Sequence, residues 1–323
     1  MTRLETNLYV GPMSKNVVDA VLEFSTDTGT PIGFIPSRRQ VEHNGGYVNG
    51  WDTKAFSSYV NGRAIIERDH GGPHQGARKD LGRVSYSADA KYFDIIHVDP
   101  WKATQDLHRG IGQTIEDVFF LNSKNPDLFY EVGTEEAIRP FTEEELEYML
   151  QTLKTELPQE LFKKIKYAVV QSGVGLDLGN QINTGKFSEQ RLVSMLDVCR
   201  KFSIQSKEHN GDYLGSVDIK KRFDLGLSAL NIAPEFGQIE TKCYVGEMSQ
   251  ESLDEFYDIC LVSEKWKKWV PEGFNPEDEK EKLVIICGHY VFSDPRFKEI
   301  KPNIDEQVKM KVKERLSKIF NEK

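Results

Sequence analysis

Acidic and histidine side chains lie at or directly after the ends of several short apolar segments of this chain. They are Asp69, His70, Asp99, Glu131, His209 and Glu235. Histidine nitrogens and carboxylate oxygens bind divalent ions, and a carboxyl group beside such an ion can also transfer a proton. Two histidines and a carboxylate with one open position would hold a catalytic divalent cation. The alternative is a rim of ion pairs in which Arg38, Arg68 and Lys207 neutralise the acids.

The segments that must position these side chains are mostly near-continuous apolar runs, which are typical of strands buried on both faces in parallel sheets. We expect strands at Pro31–Pro36, Ala64–Asp69, Phe93–Asp99, Leu128–Val132, Tyr167–Gln171, Phe202–Lys207, Ala229–Ala233 and Leu283–Cys287. Helix start signals lie between them, such as Thr142 three residues before Glu145 and Ser188 before an apolar helix face. Eight alternating units predict a single (β/α)8 barrel, a TIM barrel, over residues 1–323. An open doubly wound sheet is the alternative.

In such a barrel, catalytic groups lie at the C-terminal ends of the strands. His97 has the opposite parity to Val98, so we interpret it as a hydrogen-bonded core histidine rather than a ligand. Glu135 is placed either at the same mouth or as a cap of the next helix. A last amphipathic helix over residues 303–320 is expected to dock on the barrel.

Composition excludes several classes of protein. The net charge of −9 argues against a broad nucleic-acid-binding face, although a few local Arg and Lys residues can still bind an anionic substrate. No apolar run approaches the roughly 20 residues that cross a membrane. Residues 1–11 lack an apolar signal core, and the four cysteines have no metal-binding spacing, so we expect a cytoplasmic protein with reduced thiols. The glycine-rich loops of dinucleotide-binding proteins and of P-loop kinases are missing.

Seven segments, in order along nearly the whole chain, resemble motifs of a known family. They are Gln40-Val41-Glu42 with Gly45-Gly46-Tyr47, Asp69-His70-Gly71-Gly72-Pro73, Ile96-His97-Val98-Asp99, Tyr130-Glu131-Val132-Gly133-Thr134-Glu135-Glu136, Val170-Gln171-Ser172-Gly173-Val174, Glu208-His209-Asn210-Gly211-Asp212-Tyr213 and Ala229-Leu230-Asn231-Ile232-Ala233-Pro234. Together they resemble the accessory, so-called non-catalytic, subunit of class II D-tagatose-1,6-bisphosphate aldolase. Proteins of that family have also been labelled tagatose-6-phosphate kinases. Asn231, Ala233 and Glu235 stand where the family has lysine, glycine and a small residue, which suggests a divergent branch with a different substrate.

The resemblance implies a class II aldolase-like barrel in which a divalent ion, Zn²⁺ by preference, stabilises an enediolate derived from a phosphorylated sugar. His70 and His209 would then bind the ion, with Glu131 or Glu235 completing its shell. Asp69 would be the acid/base, with Glu131 and Asp99 as further catalytic carboxylates. The phosphate would be held by Arg38, Arg39, Lys102 or Lys207. The full set of substrate-binding candidates is Arg38, Arg39, Lys102, Gln171, Ser172, Lys207, Asp212, Asn231 and His289.

Two other functions fit the same resemblance. The first is a non-catalytic partner that stabilises a separate class II aldolase subunit. The second is a sugar-phosphate epimerase or isomerase, because enediolate chemistry serves these reactions as well. A homo-oligomer is expected only from the general frequency of such assemblies among soluble proteins.

Overall fold

The structure is a computed structural model that describes residues 5–320. Its centre is a ring of eight parallel strands, whose order in the sheet is β2-β1-β8-β7-β6-β5-β4-β3. Parallel bridges from Phe34 to Ile66 and from Ser37 to Asp69 connect β2 with β3, the two ends of that sheet. The strands are β1 (Leu8–Val10), β2 (Gly33–Phe34), β3 (Glu67–Gly71), β4 (Ile95–Val98), β5 (Phe129–Val132), β6 (Ile165–Val170), β7 (Gln205–Glu208) and β8 (Ala229–Ile232).

Helices surround the ring and cover the outer face of the strands. They are α1 (Lys15–Thr28), α2 (Thr53–Val60), α3 (Arg83–Tyr92), α4 (Leu107–Lys124), α5 (Glu143–Glu156), α6 (Gln159–Phe162), α7 (Glu189–Lys201), α8 (Ser216–Asp224), α9 (Pro234–Glu247), α10 (Gln250–Ser263), α11 (Lys280–Cys287), α12 (Pro295–Ile300) and α13 (Asp305–Phe320). The expected start signals are present: Thr142 and Glu145 form a reciprocal capping box on α5, and Ser188 accepts the N–H of Arg191 at the start of α7. The sequence-based expectation of a (β/α)8 barrel is confirmed.

One predicted strand is wrong and one strand of the ring was missed, as were the two strands of a short antiparallel hairpin outside the ring, Leu176–Asp177 and Ile182–Asn183. Leu283–Cys287 lies within helix α11, where Leu283, Ile286 and Cys287 are packed on Phe256 and Tyr244 in a second apolar cluster. A short run that is apolar on every side fits a buried helix as well as a buried strand, so periodicity alone could not separate the two. The missing strand is β1, which has only three residues and begins almost at the start of the described chain.

The barrel interior changes from apolar to polar towards the C-terminal ends of the strands. An apolar layer is formed by Tyr9, Ile35, Ile65, Ile95, Tyr167 and Ala229. Since side chains alternate along a strand, the residues two and four positions beyond Ile65 also point inward, and they are Glu67 and Asp69. The same alternation turns Glu131, Lys207 and His209 inward. Charged groups therefore lie inside the barrel just below its mouth.

The alternate residues point outward and join strands to helices through buried ion pairs. Arg68 contacts Asp89 of α3 at 2.6 Å with both side chains fully enclosed. Glu208 contacts Arg222 of α8 at 2.8 Å. Arg68 is therefore bound to a helix and is not part of a neutralising rim at the mouth.

Helix α13 packs against α1 and α9, with Val312 and Leu316 buried in the main apolar core. All four cysteines are free thiols, and Cys199, Cys260 and Cys287 are buried. Among residues 5–320 no helix has both the length and the apolar character needed to cross a membrane.

Candidate active site

Asp69 and His70 both face the mouth of the barrel although they are neighbours in sequence. In a regular strand successive side chains point to opposite faces, so one of the two would point into the barrel and the other outward. The pairing of β3 with β4 is irregular between Arg68 and Gly71, and His70 has a left-handed backbone with φ of 46°. Irregularities of this kind redirect a side chain at a strand end. The local distortion therefore brings both side chains to the same centre.

Four side chains meet at this centre: Asp69, His70, His97 and His209. One potential ligand atom from each lies within 4.8 Å of the others. The three imidazole rings are 5.1 to 5.2 Å apart between centroids. They come from the ends of β3, β4 and β7, so only the closed ring of strands brings them together.

His70 and His97 each donate one ring N–H to a buried acceptor. His70 Nδ1 lies 2.6 Å from Asp99 Oδ2, and His97 Nε2 lies 3.0 Å from the backbone oxygen of Gly133. A carbonyl oxygen can only accept, so Nε2 of His97 carries the proton. The other nitrogens, Nε2 of His70 and Nδ1 of His97, face the centre. Among residues 5–320, the one hydrogen bond to Nδ1 of His97 comes from the backbone N–H of His70, at a long 3.3 Å.

His209 has the same arrangement. Its Nε2 lies 2.7 Å from Glu131 Oε1, while its Nδ1 is 3.7 Å from Asp69 Oδ1. The second oxygen of Glu131 accepts from Lys207 at 3.0 Å. Metal-binding histidines typically donate their second ring N–H to a carboxylate or carbonyl, which fixes the orientation of the ring. All three histidines of the cluster meet this condition.

The donor set fits a divalent ion. Asp69 Oδ1 is buried and has no hydrogen-bond partner among residues 5–320, and it lies 3.7 Å from both His70 Nε2 and His209 Nδ1. An unpaired buried carboxylate oxygen costs free energy unless a cation or a donor reaches it. Three imidazole nitrogens form a ligand set that Zn²⁺ accepts, and the Asp69 oxygen lies beside them.

The pKa of His70 is shifted in the opposite direction to the pKa values of His97 and His209. Burial lowers the pKa of His97 and of His209 to about 3, so both rings are neutral and able to bind a metal. Burial also acts on His70, but Asp69 and the hydrogen bond to Asp99 outweigh it and raise the pKa of His70 to about 10. Burial raises the pKa of Asp69, whereas His70 outweighs burial at Asp99 and lowers the pKa of that carboxyl group.

Glu235, predicted as a metal ligand, does not reach the cluster. Its carboxylate binds Arg315 of α13 at 2.6 Å and accepts the backbone N–H of Tyr213 at 2.8 Å. Glu235 lies in the first turn of α9, beyond the end of β8, and that turn directs it towards α13. His97 occupies the place in the cluster that the sequence assigned to Glu235.

Three predicted substrate-binding residues are fully engaged in the protein. The Gln171 side chain accepts from Phe141 N at 2.8 Å and donates to two backbone carbonyls. The Ser172 hydroxyl donates to Glu208. Asp212 accepts the N–H groups of Ala233 and Glu235, at 3.0 and 2.8 Å, and so caps the start of α9. These contacts assign structural roles to Gln171, Ser172 and Asp212.

Two predicted phosphate ligands are also neutralised within the chain. Arg38 binds Glu42 at 2.7 Å and Asp80 through two further hydrogen bonds. Lys207 is fully buried in the barrel between Glu67, at 2.6 Å, and Glu131. Neither cation is free to hold a phosphate.

Of the remaining predicted phosphate ligands, Arg39 lines a cavity of about 670 Å³, and its charge acts on Lys102 nearby. Six cationic and three acidic side chains line the cavity, although the whole chain has a net charge of −9. Among the described residues no carboxylate forms an ion pair with Arg39, Lys102 or Lys268. Enclosure in the protein, with the charges of Arg39 and Lys102, lowers the pKa of Lys268 to about 8. Arg38 lines the cavity and donates at 2.9 Å to the backbone oxygen of Gly72, two residues after His70, so the cavity lies beside the end of β3.

Asn231 and His289 are buried polar side chains whose polar atoms have no hydrogen-bond partner among residues 5–320. The pairing of Ala229 with Lys207 places Asn231 beside His209 on the inner face of the barrel. His289 follows α11 rather than a strand and packs against the rings of Tyr47 and Tyr290. Both remain available to a ligand.

Sequence reasoning missed His97 and Lys268 at this site and left Glu135 open between the mouth and a helix cap. His97 was interpreted as a core residue, yet it shares the parity of Asp99 and of the inward-facing Ile95, which was the available signal. Glu135 reaches the mouth, where it accepts from Asn210 at 2.7 Å. Lys268 belongs to the lysine-rich run at 265–268, and no motif linked that run to the mouth.

No family model matches this chain, and no curated protein matches it in sequence. Comparison of structures instead shows the class of fold, which is the barrel found in aldolases. A structure described as a probable tagatose 6 phosphate kinase from Sinorhizobium meliloti 1021 has a TM-score of 0.74 and 15% identity, over 95% of this chain and 87% of that one.

Two aldolases are similar at lower scores. The fructose-bisphosphate aldolase from Campylobacter jejuni has a TM-score of 0.56 at 14% identity, over 98% of this chain and 89% of that one. The YdjI aldolase from Escherichia coli K12 has a TM-score of 0.53 at 13% identity, over 92% of this chain and 90% of that one. At these identities the likeness shows a shared fold.

Proposed function

We propose that this protein is a class II-type aldolase that depends on a divalent metal ion and cleaves or forms a carbon–carbon bond in a phosphorylated sugar related to tagatose bisphosphate. The observation that supports it most is the cluster of His70, His97 and His209, in which each ring donates one N–H to a buried acceptor and turns its other nitrogen to a common centre. The likeness of the barrel to those of two aldolases agrees with this proposal.

The three histidines would hold the ion, and Zn²⁺ suits their nitrogen-rich set. A bound ion would polarise the ketone of the substrate and stabilise the enediolate formed from it. Asp69 has the position of the acid/base, because its Oδ1 is buried, unpaired and directed at the same centre. Asp99 and Glu131 act through His70 and His209, whose rings they orient.

The substrate is oriented by groups near the mouth that form no ion pair among residues 5–320. Arg39 and Lys268 supply positive charge for a phosphate at the cavity wall, and the charge of Lys102 acts on Lys268 from nearby. Asn231 lies beside His209 with both amide atoms unpaired, so it can hydrogen-bond a hydroxyl or carbonyl oxygen of the sugar. A neutral amide at this point favours an uncharged part of the substrate over a second phosphate.

The test is aldol cleavage of phosphorylated ketoses, measured by release of the triose phosphate, before and after treatment with a chelator. We expect cleavage by the metal-loaded protein, loss on chelation and recovery on adding Zn²⁺. The Asp69→Asn variant should bind the ion and lose cleavage. Cleavage that persists after complete removal of metal contradicts the metal-dependent mechanism. A metal-loaded protein that cleaves none of these sugars contradicts the aldolase assignment.

A further inference from the structure

Lys207 is a charged residue in the interior of the barrel, directly below the histidine cluster. Its ammonium group lies 2.6 Å from Glu67, 3.0 Å from Glu131 and 3.8 Å from the centre of the Tyr9 ring. All of these side chains are almost completely enclosed. Removing such charges from water costs several kcal/mol per ion, and apolar residues often stabilise a core equally well. Stability alone therefore does not explain why this layer is charged.

The two carboxylates that contact histidines are anchored in different ways. Asp99, the partner of His70, is held by neutral donors, the Thr134 hydroxyl and the Trp101 N–H, each at 3.1 Å. Glu131, the partner of His209, is held by the Lys207 ammonium at Oε2, which leaves Oε1 for the ring. An ammonium group has donors and no acceptor, so Lys207 requires an acceptor at this position.

This requirement determines which nitrogen of His209 faces the metal centre. Since Lys207 fixes Glu131 as an acceptor, the Nε2 of His209 must carry the hydrogen, and its Nδ1 keeps a free lone pair. Nδ1 is the atom that lies 3.7 Å from Asp69 Oδ1 and belongs to the cluster. The other tautomer would direct an N–H at the centre and prevent His209 from binding a metal there.

We propose that Lys207 is a positioning residue of the candidate metal centre: by holding Glu131 as an acceptor, it fixes His209 in the tautomer whose Nδ1 can bind a metal ion. The consequence for metal binding rests on the proposed function. The tautomer itself is a property of the metal-free chain and can be measured without any aldolase activity.

The main test compares Lys207→Met with Glu67→Gln in the full-length, metal-free protein. Lys207→Met removes the group that anchors Glu131, whereas Glu67→Gln changes the other contact of Lys207 in the same buried layer and leaves Lys207–Glu131 intact. Long-range ¹H–¹⁵N spectra report the protonated ring nitrogen, and the signal of His209 is identified by its loss in His209→Gln. Zn²⁺ affinity is measured by competition with a chelating dye.

We expect the wild type and Glu67→Gln to show His209 protonated at Nε2, with Zn²⁺ affinities within about twofold of each other. In Lys207→Met we expect a mixture of tautomers and Zn²⁺ affinity about 10- to 100-fold weaker, as for other groups that orient metal-binding histidines. An unchanged tautomer in Lys207→Met overturns the inference. So does an equal change in Glu67→Gln, because the effect would then come from disturbance of the core.

The variant Glu131→Gln keeps Lys207 and tests the same inference if Lys207→Met does not fold. In Glu131→Gln the amide has one oxygen, which Lys207 must attract, so the NH₂ group faces His209 and the ring is protonated at Nδ1 instead. If His209 stays protonated at Nε2 in this variant, Lys207 does not set the tautomer. A wild type with the expected tautomer and no affinity for Zn²⁺ would contradict the proposed function alone.

Discussion

His70 Nε2 lies 3.7 Å from Asp69 Oδ1, although the two residues are adjacent in the chain. The left-handed backbone at His70 and the irregular pairing of β3 with β4 produce this contact. A single strand end thereby supplies both an imidazole nitrogen and a carboxyl group to the cluster that we propose as a metal centre. His97 and His209 complete that cluster, and Asp99 and Glu131 orient the rings of His70 and His209.

Binding of an anionic substrate should depend on the unpaired cations of the cavity. Lys268→Ala removes a cation without an ion-pair partner, so we expect KM for a phosphorylated sugar to rise about 10-fold or more, with less change at high salt. Lys267→Ala is the matched control, because Lys267 lines the same cavity but pairs with Glu264 at 2.6 Å. Equal effects of the two substitutions on KM would refute a specific role for Lys268.

Asn231 should contribute to activity at the expense of stability. Both of its amide atoms are buried without partners, which costs about 1–3 kcal/mol per group in a folded protein. Asn231→Leu, which has a similar volume, should raise the free energy of unfolding of the substrate-free protein by about 1 kcal/mol and lower kcat/KM. Urea denaturation and steady-state kinetics measure the two effects. A variant that is less stable and fully active would show that Asn231 is a packing residue.

The ion pair between Arg68 and Asp89 should be essential to the barrel wall. Asp89→Ala leaves the enclosed guanidinium group of Arg68 without its carboxylate, and loss of one buried partner costs about 3–5 kcal/mol. The exposed pair of Lys163 with Glu160 is the control, for which Lys163→Ala should change stability by less than about 1 kcal/mol. Chemical denaturation measures both variants. If Asp89→Ala and Lys163→Ala lost equal stability, burial would not be what makes the Arg68–Asp89 pair more important than an exposed pair.

Asp212 should make stability depend on pH. Burial raises the pKa of Asp212 from 3.8 to about 7, so the folded state favours the protonated carboxyl group. The protonated carboxyl group of Asp212 contributes its full stabilisation of the folded state below pH 3.8. This stabilisation is lost as pH rises through about 7, by roughly 1.4 kcal/mol for each unit by which the pKa of the folded state exceeds that of the unfolded state. The side chain of Asn does not titrate, so Asp212→Asn is not destabilised in this way. The free energy of unfolding of Asp212→Asn, relative to that of the wild type, should therefore increase between pH 5 and pH 8. A relative stability that is constant or decreases over this range would contradict the raised pKa.

The alternation of strands and helices could be predicted from the sequence because most buried strands are apolar runs and most helices have capping residues. Strand β1 and helix α11 could not be predicted. β1 has three residues, too few to stand out, and α11 is apolar on the sides that meet α9 and α10, so Leu283–Cys287 had the pattern of a strand. In both cases the surrounding structure, rather than local pattern, determines the element.

The candidate site was predictable in part. Asp69 and His70 lie at the end of β3 and His209 directly follows β7, so a barrel places them at one mouth. The contacts of each side chain were not predictable, because they depend on residues distant in sequence. Glu235 is removed from the site by Arg315, 80 positions later, and Lys207 is turned inward to Glu67, 140 positions earlier. Parity along the strands would have indicated that Lys207 shares the inner face with His209.

Elemental analysis of the purified protein decides whether three histidines at the mouth of the barrel hold a divalent ion. We expect about one divalent ion per chain in the wild type and in His108→Ala, a control whose ring lies beside Tyr148 outside the cluster. His70→Ala and His209→Ala should lose the ion. The histidine metal site would be contradicted if the wild type held no stoichiometric ion with any added divalent metal. It would also be contradicted if His70→Ala or His209→Ala retained the ion.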